Sequence, residues 1–320
     1  MSENYLWDRS GEPDPEIERL ERALAPHRWK APSARGAAGR SVPRVLPIAA
    51  GVLLAVALGW IAWPRGSDPA APGGGAYFVE SLAGTVRVAG SEKAAREGSG
   101  PVRAGEAVVC GPGTRARLRV GPIGSVELEA ESRLRVEREA EEEFHLYLER
   151  GTLTASIFAA PRVFQVGTPS GILVDLGCVY QASVRPDGHT SLEVLTGRVS
   201  FEAEGHRVFV PAGAACRAWP ERGPGTPVWK DAPPEFREAV ERVDAAAEDA
   251  ALRLVLGTDR PKDSLTLWHL LAHESEPVRA AAFDRLAVLS SPPESVTREG
   301  CVARDASMLE SWKDDLEGLW

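Results

Sequence analysis

From Tyr77 to about Trp219, apolar and polar residues alternate in short segments separated by glycine, the pattern of half-buried strands. The alternation is cleanest where Arg115 to Val120 is followed, after Gly121-Pro122-Ile123-Gly124, by Ser125 to Ala130. Ala116, Leu118, Val120, Val126, Leu128 and Ala130 then share one buried face. The opposite face sets arginines beside glutamates, cross-strand pairs that help fix register. Leu134 and Val136, then Phe144, Leu146 and Leu148, continue the period of two. So do Phe164 and Val166, Leu192 and Val194, Val199 and Phe201, and Val208 and Val210.

A weak internal repeat runs under these strands. Gly84-Thr-Val, Gly151-Thr-Leu and Gly197-Arg-Val each open a strand after a turn, and Arg103-Ala-Gly105 resembles Pro211-Ala-Gly213. Glycine at such corners permits positive φ or close backbone approach. The expected fold of residues 77–219 is therefore a glycine-cornered β-solenoid or sandwich.

Two regions break the alternation. Val45 to Trp63 reads VLPIAAGVLLAVALGWIAW, nineteen residues without a charge. As a helix it spans about 28 Å, close to the ~30 Å hydrocarbon core of a bilayer. Arg28, Lys30, Arg35, Arg40 and Arg44 precede it without an intervening acid, and Trp60 and Trp63 sit at its far end. The reading is a transmembrane helix over 45–63, with Arg40, Arg44, Trp60 and Trp63 as membrane-interface anchors, the N-terminus cytoplasmic and the C-terminal part outside. A signal peptide fits poorly, because the apolar core is too long and lies too far from the N-terminus. No Gly-x-x-x-Gly pair marks it for self-association. Residues 64–76 form a Gly/Pro linker.

On the cytoplasmic side, residues 1–44 hold a short amphipathic pattern between Tyr5 and Trp29, with Ile17, Leu20 and Leu24 on one face and Asp14-Pro15 as cap and first turn. A helix this short needs a partner for its apolar face. A basic, flexible tether follows it.

The second break begins at a Pro/Gly-rich connector, residues 220–234. Residues 235–320 form an α-helical region. One helix is expected over Glu235 to Leu256, with Phe236, Ala239, Val240, Val243, Ala247, Ala250 and Leu254 in one stripe. Others are expected at about Ser264 to Ala272, Pro277 to Leu289 and Ala306 to Leu316, and Pro277 to Ala282 looks like one unit of a HEAT-type helical hairpin.

Composition and charge narrow the function classes. The net charge of −9 reflects solvated acidic stretches such as Glu137 to Glu143, and no basic face with interleaved aromatics points to nucleic acid. Cys110, Cys178, Cys216 and Cys301 are widely spaced without a C-x-x-C pair, so zinc and redox signatures are missing. Outside the membrane a disulfide is chemically permitted, and Cys178 with Cys216 is the pair to test first; small buried thiols in strands are the alternative.

Candidate catalytic and metal chemistry does not assemble. His273-Glu274 begins like a zincin motif, but Pro277 stands where the second histidine belongs. His27, His145, His189, His206 and His269 are scattered. Ser170 does not match a nucleophile elbow, and Asp175, in an apolar strand pattern, reads as a turn or bulge residue. The expectation is no enzyme, no cofactor and no metal.

Together, Gly84-Thr-Val-Arg-Val, Val102-Arg-Ala-Gly105-Glu-Ala-Val-Val, Thr114-Arg-Ala-Arg-Leu118, Leu146-Tyr-Leu-Glu-Arg-Gly151-Thr-Leu, Val166-Gly-Thr-Pro-Ser-Gly171 and Val194-Leu-Thr-Gly197-Arg-Val resemble the FecR domain in order and spacing, over about Tyr77 to Trp219. The start from Tyr5 to Pro15 also looks like that of anti-sigma-type membrane regulators. The resemblance implies a single-pass protein of the bacterial inner membrane whose periplasmic β domain senses an envelope signal. Its cytoplasmic segment would bind an extracytoplasmic-function sigma factor, with Leu6, Trp7, Ile17, Leu20 and Leu24 as contact candidates. Where the family usually has Gly-Thr-x-Phe, this chain has Gly177-Cys178-Val179-Tyr180, and the helical region from Glu235 replaces the small β region of the iron-signalling members. The competing reading is an envelope scaffold whose β domain binds glycan or protein without sigma-factor regulation.

Overall fold

The computed structural model describes residues 77–90, 95–139 and 143–320. The cytoplasmic segment with Leu6, Trp7, Ile17, Leu20 and Leu24, the 45–63 run with Arg40, Arg44, Trp60 and Trp63 around it, and the 64–76 linker lie outside the described residues. Among the described residues no helix is long and apolar enough to cross a membrane.

The strands are β1 (Tyr77–Ala83), β2 (Arg87–Ala89), β3 (Arg96–Glu97), β4 (Gly100–Val102), β5 (Ala107–Val109), β6 (Arg115–Val120), β7 (Gly124–Leu128), β8 (Arg133–Glu139) and β9 (Phe144–Ile157). They continue with β10 (Phe164–Thr168), β11 (Gly171–Asp175), β12 (Val179–Val184), β13 (Thr190–Thr196), β14 (Arg198–Ala203), β15 (His206–Pro211), β16 (Ala214–Trp219), β17 (Gly223–Pro224) and β18 (Val228–Trp229).

They form two layers. In the first sheet β4, β1, β6, β7, the second half of β9, β12, β13 and β16 lie side by side, with β17 and β18 both paired to β16. In the second, the order is β3, β2, β5, β8, the first half of β9, β10, β11, β14 and β15. Neighbours are antiparallel except β9 with β10, whereas the coils of a parallel β-helix stack parallel. Inward side chains of both sheets, including Leu118, Leu128, Leu146, Leu153, Tyr180 and Phe201, are fully buried in one cluster. The architecture is thus the sandwich of the two expected alternatives.

The glycine corners mark where the chain passes between the sheets. Gly84, Gly105, Gly177, Gly197 and Gly213 all stand at such passages with positive φ, and Glu131 and Arg162 take the same left-handed conformation at two others. Gly151 shows why. It interrupts β9 where that strand leaves β8 for β7 and β12, at φ 89°, and a Cβ there would lie 2.4 Å from Ser132 Cα. Ser132 uses this proximity: its Oγ accepts from Thr152 N–H at 2.9 Å and donates to Thr152 O at 3.1 Å.

The β6–β7 hairpin follows the expected alternation, with Ala116 opposite Leu128 and Leu118 opposite Val126, all buried. Ala130 departs from it: it lies beyond the end of β7 and is half-buried. On the outer face Arg117 meets Glu127 at 2.7 Å and Arg115 meets Glu129 at 3.0 Å.

The connector at 220–234 is more structured than its Pro/Gly content suggests, since β17 and β18 extend the first sheet through β16. Trp229 of β18 is buried and its Nε1–H donates to Lys262 O at 2.5 Å. Six helices follow: α1 (Pro234–Ala246), α2 (Asp249–Leu256), α3 (Ser264–Leu270), α4 (Glu276–Leu289), α5 (Arg298–Val302) and α6 (Ala306–Leu316). The single helix expected over 235–256 is broken at Ala247, whose φ of 49° is left-handed. The break advances the buried stripe by one position: Ala251 and Val255 are buried, while Ala250 and Leu254 are exposed. α5 was not expected; its Thr297 cap accepts from Gly300 N–H.

The helices cover the free edge of the second sheet. β15 is the last strand there, and an open edge invites pairing with another chain. His269 of α3 accepts the Phe209 N–H through Nε2 at 3.2 Å while its Nδ1 bonds Leu265 O at 2.9 Å. Lys313 of α6 lies 4.6 Å from the centre of the Phe209 ring, and Arg198 pairs with Glu317 at 2.9 Å.

Candidate functional site

A broad concavity forms where sheets and helices meet. It encloses about 870 Å³ between the β14–β15 hairpin at Glu204-Gly205-His206, the Trp219–Thr226 segment, the end of α1 and the α3–α4 connection at His273-Glu274-Ser275. No single stretch of sequence supplies it.

Each wall is held by polar contacts. Asp244, in the last turn of α1, accepts from Thr226 N–H at 2.8 Å and from Thr226 Oγ1–H at 2.6 Å. Gly225 makes this possible, because a Cβ there would lie 2.5 Å from Asp244 Oδ2 and 2.7 Å from the Trp219 ring. Arg222 packs over Trp219 and donates to the carbonyls of Ala245, at 2.9 Å, and Asp244. These are the unpaired carbonyls at the C-terminal end of α1, where a cation is favoured. Arg304 donates to His273 O at 2.9 Å, and His273 Nδ1 accepts from Ser275 N–H at 3.0 Å.

Burial dominates the electrostatics. It pushes the Asp244 carboxyl up to about 6 against the lowering effect of its Thr226 hydrogen bonds. It holds His206 below the usual imidazole range, with Arg304 acting in the same direction and Glu274 opposing. His273 is lowered for the same first reason. The cleft therefore presents neutral imidazoles and a carboxyl that titrates near 6, a lining suited to hydrogen bonding with a polar ligand.

Other sequence candidates fall into structural roles. Asp175 is a turn residue: its Oδ1 accepts Gly177 N–H at 2.6 Å and its Oδ2 accepts the Cys178 thiol at 2.8 Å. Ser170 is buried and its Oγ donates to Gly188 O at 2.7 Å. His189 follows the β12–β13 turn and His206 opens β15, while His145 lies half-buried on β9 near Glu143. Among the described residues no group of three or more His, Cys, Asp or Glu is placed to hold a metal ion.

The Cys178–Cys216 bridge is not formed; all four cysteines are free and buried. Register gives the reason. Cys216 pairs with Leu192, which pairs with Ala182, four residues along from Cys178 and two strands over. At ~3.3 Å per residue and ~4.8 Å per strand the two lie about 16 Å apart, against the ~6 Å between Cα atoms that a disulfide needs. Burial pushes the thiols of Cys110 and Cys301 up to about 11, and those of Cys178 and Cys216 higher still.

Residues 106–200 match the protein-family model described as FecR protein. That stretch begins just before β5 and ends within β14, inside the two-sheet domain. No curated protein matches the chain. Two crystal structures of a Parabacteroides distasonis protein assigned as an anti-sigma factor are similar to it. The one at 1.65 Å resolution has 16% identity and a TM-score of 0.34, covering 42% of this chain and 63% of that one. The other, at 2.50 Å, has 17% identity and a TM-score of 0.29, covering 36% and 54%. The chain thus spans less than two thirds of either solved chain.

Proposed function

From a FecR domain at residues 106–200 lying downstream of the Val45 to Trp63 run, we propose that the chain is a single-pass membrane regulator of an extracytoplasmic-function sigma factor. The match of residues 106–200 to the FecR family model carries this reading, because a resemblance to FecR implies a regulator rather than an enzyme. The basic flank of the run supports a cytoplasmic position for residues 1–44 and a periplasmic one for the β domain.

In this account the apolar face of Ile17, Leu20 and Leu24, with Leu6 and Trp7, docks on the sigma factor. The β domain with its helical region receives the external signal, and the cleft between Trp219 and His273 is where a small polar ligand would shift it. The test is recovery of a sigma factor on immobilised residues 1–44 under native conditions. Recovery that is lost on Leu20→Glu supports the reading. Failure to recover any sigma factor, with wild-type residues 1–44 shown to be intact, contradicts it and leaves an envelope scaffold.

A further inference from the structure

One end of the first sheet has an uncharged, apolar centre where the other is charged throughout. Along that end the register runs from Tyr77 opposite Val120, to Val120 opposite Gly124, Gly124 opposite Ile157, Ser156 opposite Val179 and Val179 opposite Thr196. Along this row lie the segments 121–123, 158–161, 176–177, 195–197 and 211–213, which hold no charged residue themselves and are flanked by Arg162, Arg198 and Lys230. They are laced together: Phe158 N–H donates to Ile123 O at 2.8 Å, Ile157 N–H to Cys178 O at 3.1 Å and Ala212 N–H to Gly197 O at 3.0 Å. The opposite end of the same sheet carries Glu129, Glu131, Arg185, Asp187, Glu221 and Arg222.

Two large apolar side chains stand out from this uncharged centre. Phe158 is 80% exposed and Leu195 56% exposed, with Ile123 and Leu176 half-buried beside their loops. An exposed aromatic on a short, hydrogen-bonded loop has no role in the core it leaves, and apolar clusters of this kind mark interaction surfaces. Among the described residues, charges flank this end at Arg103, Glu106, Glu143, Arg162, Arg198 and Lys230, of which Arg162 is paired with Glu202 at 3.2 Å, Arg198 with Glu317 at 2.9 Å and Lys230 with Glu193 at 2.5 Å.

The position of Tyr77 says what covers this end. The β domain begins there, on the same row of the sheet, and residues 64–76 alone separate it from the apolar run at 45–63. A Gly-rich tether of that length has a root-mean-square span of about 20 Å and a fully extended reach of about 45 Å. A crossing at 45–63 would hold this end at high effective concentration beside the lipid surface, where apolar side chains such as Phe and Leu enter the boundary between headgroups and acyl chains.

We propose that Phe158 and Leu195 rest in the outer interface of the bilayer, so that the β domain docks on the membrane by the end at which its chain begins. This rests on the reading of Val45 to Trp63 as a membrane crossing. Zwitterionic lipid suits the surface, since its apolar centre is uncharged and its rim carries both signs.

The experiment uses the full chain in phosphatidylcholine nanodiscs containing brominated lipid. A fluorophore is placed on one new thiol per sample, Phe158→Cys, Leu195→Cys, Asp187→Cys at the charged end or Val52→Cys within the run; the four native thiols are buried. Docking predicts loss of fluorescence at 158, 195 and 52 and none at 187. Quenching at 52 with none at 158 and 195 overturns docking while the crossing stands. Equal quenching at 158 and 187 overturns it as well. Energy transfer between labels at 158 on separate chains, without lipid quenching, assigns the surface to a second copy instead. No quenching at 52 removes the crossing and docking with it.

Discussion

His269 Nε2 accepts the backbone N–H of Phe209 at 3.2 Å, and this bond ties the helical region to the outermost strand of the second sheet. It requires an unprotonated Nε2, and burial lowers the imidazole to about 3. Below about pH 6.5 the unfolded chain binds a proton that the folded chain refuses, so this contribution is complete above 6.5 and is lost as pH falls through the window down to about 3. Acidification from pH 7 to 5 is expected to remove about 2 kcal/mol through His269, at ~1.4 kcal/mol per pH unit. Denaturant unfolding at the two pH values measures it, and His269→Gln should flatten the dependence. An unchanged slope would contradict the assignment.

Asp244 acts in the opposite direction. Its carboxyl is raised to about 6, so its contribution is complete below the usual carboxylate value and is lost as pH rises through 6. Asp244→Asn is therefore expected to cost least relative to wild type near pH 7 and most near pH 4. Thermal midpoints of both proteins across that range decide it.

Two glycines at equivalent corners should respond differently to alanine. At Gly105, φ is 84° and nothing lies within 4 Å of the new Cβ, so only the left-handed backbone is penalised, by roughly 1–2 kcal/mol. At Gly151 the same penalty is joined by a 2.4 Å approach to Ser132 Cα, and the loss is expected at about 3 kcal/mol or more. Equal losses would show that the passage of β9 between sheets is looser than its register.

The four thiols make a simple prediction. Buried and held well above the usual thiol range, none should react with a thiol reagent at pH 8 in the folded protein, and all four should react after denaturation without reductant. Only two reactive thiols would reveal a bridge.

The sandwich is legible where one face is wet and the other dry. Leu118 and Val126 alternate with Arg117 and Glu127, and this alternation dictates both the strands and their pairing. The glycine corners are legible as repeats, although nothing in Glu131 or Arg162 announces a left-handed turn at the other passages. The break between α1 and α2 is hidden because it falls at Ala247, left-handed at φ 49° although alanine favours helix. The cleft is hidden for another reason: Thr226 and Asp244, like His206 and His273, come from separate parts of the chain, and no local pattern joins them. Cys178 and Cys216 stand open in the sequence between a bridge and buried thiols because pairing depends on register, and register keeps them apart as buried thiols.

The most direct measurement of the regulatory account is made in living cells. A photo-crosslinking amino acid at Leu20 of the full chain should capture a sigma factor, and alkaline phosphatase fused after Trp320 should be active, reporting a C-terminus outside the cytoplasm. Capture of no sigma factor from a correctly inserted chain, or an inactive fusion, would contradict it.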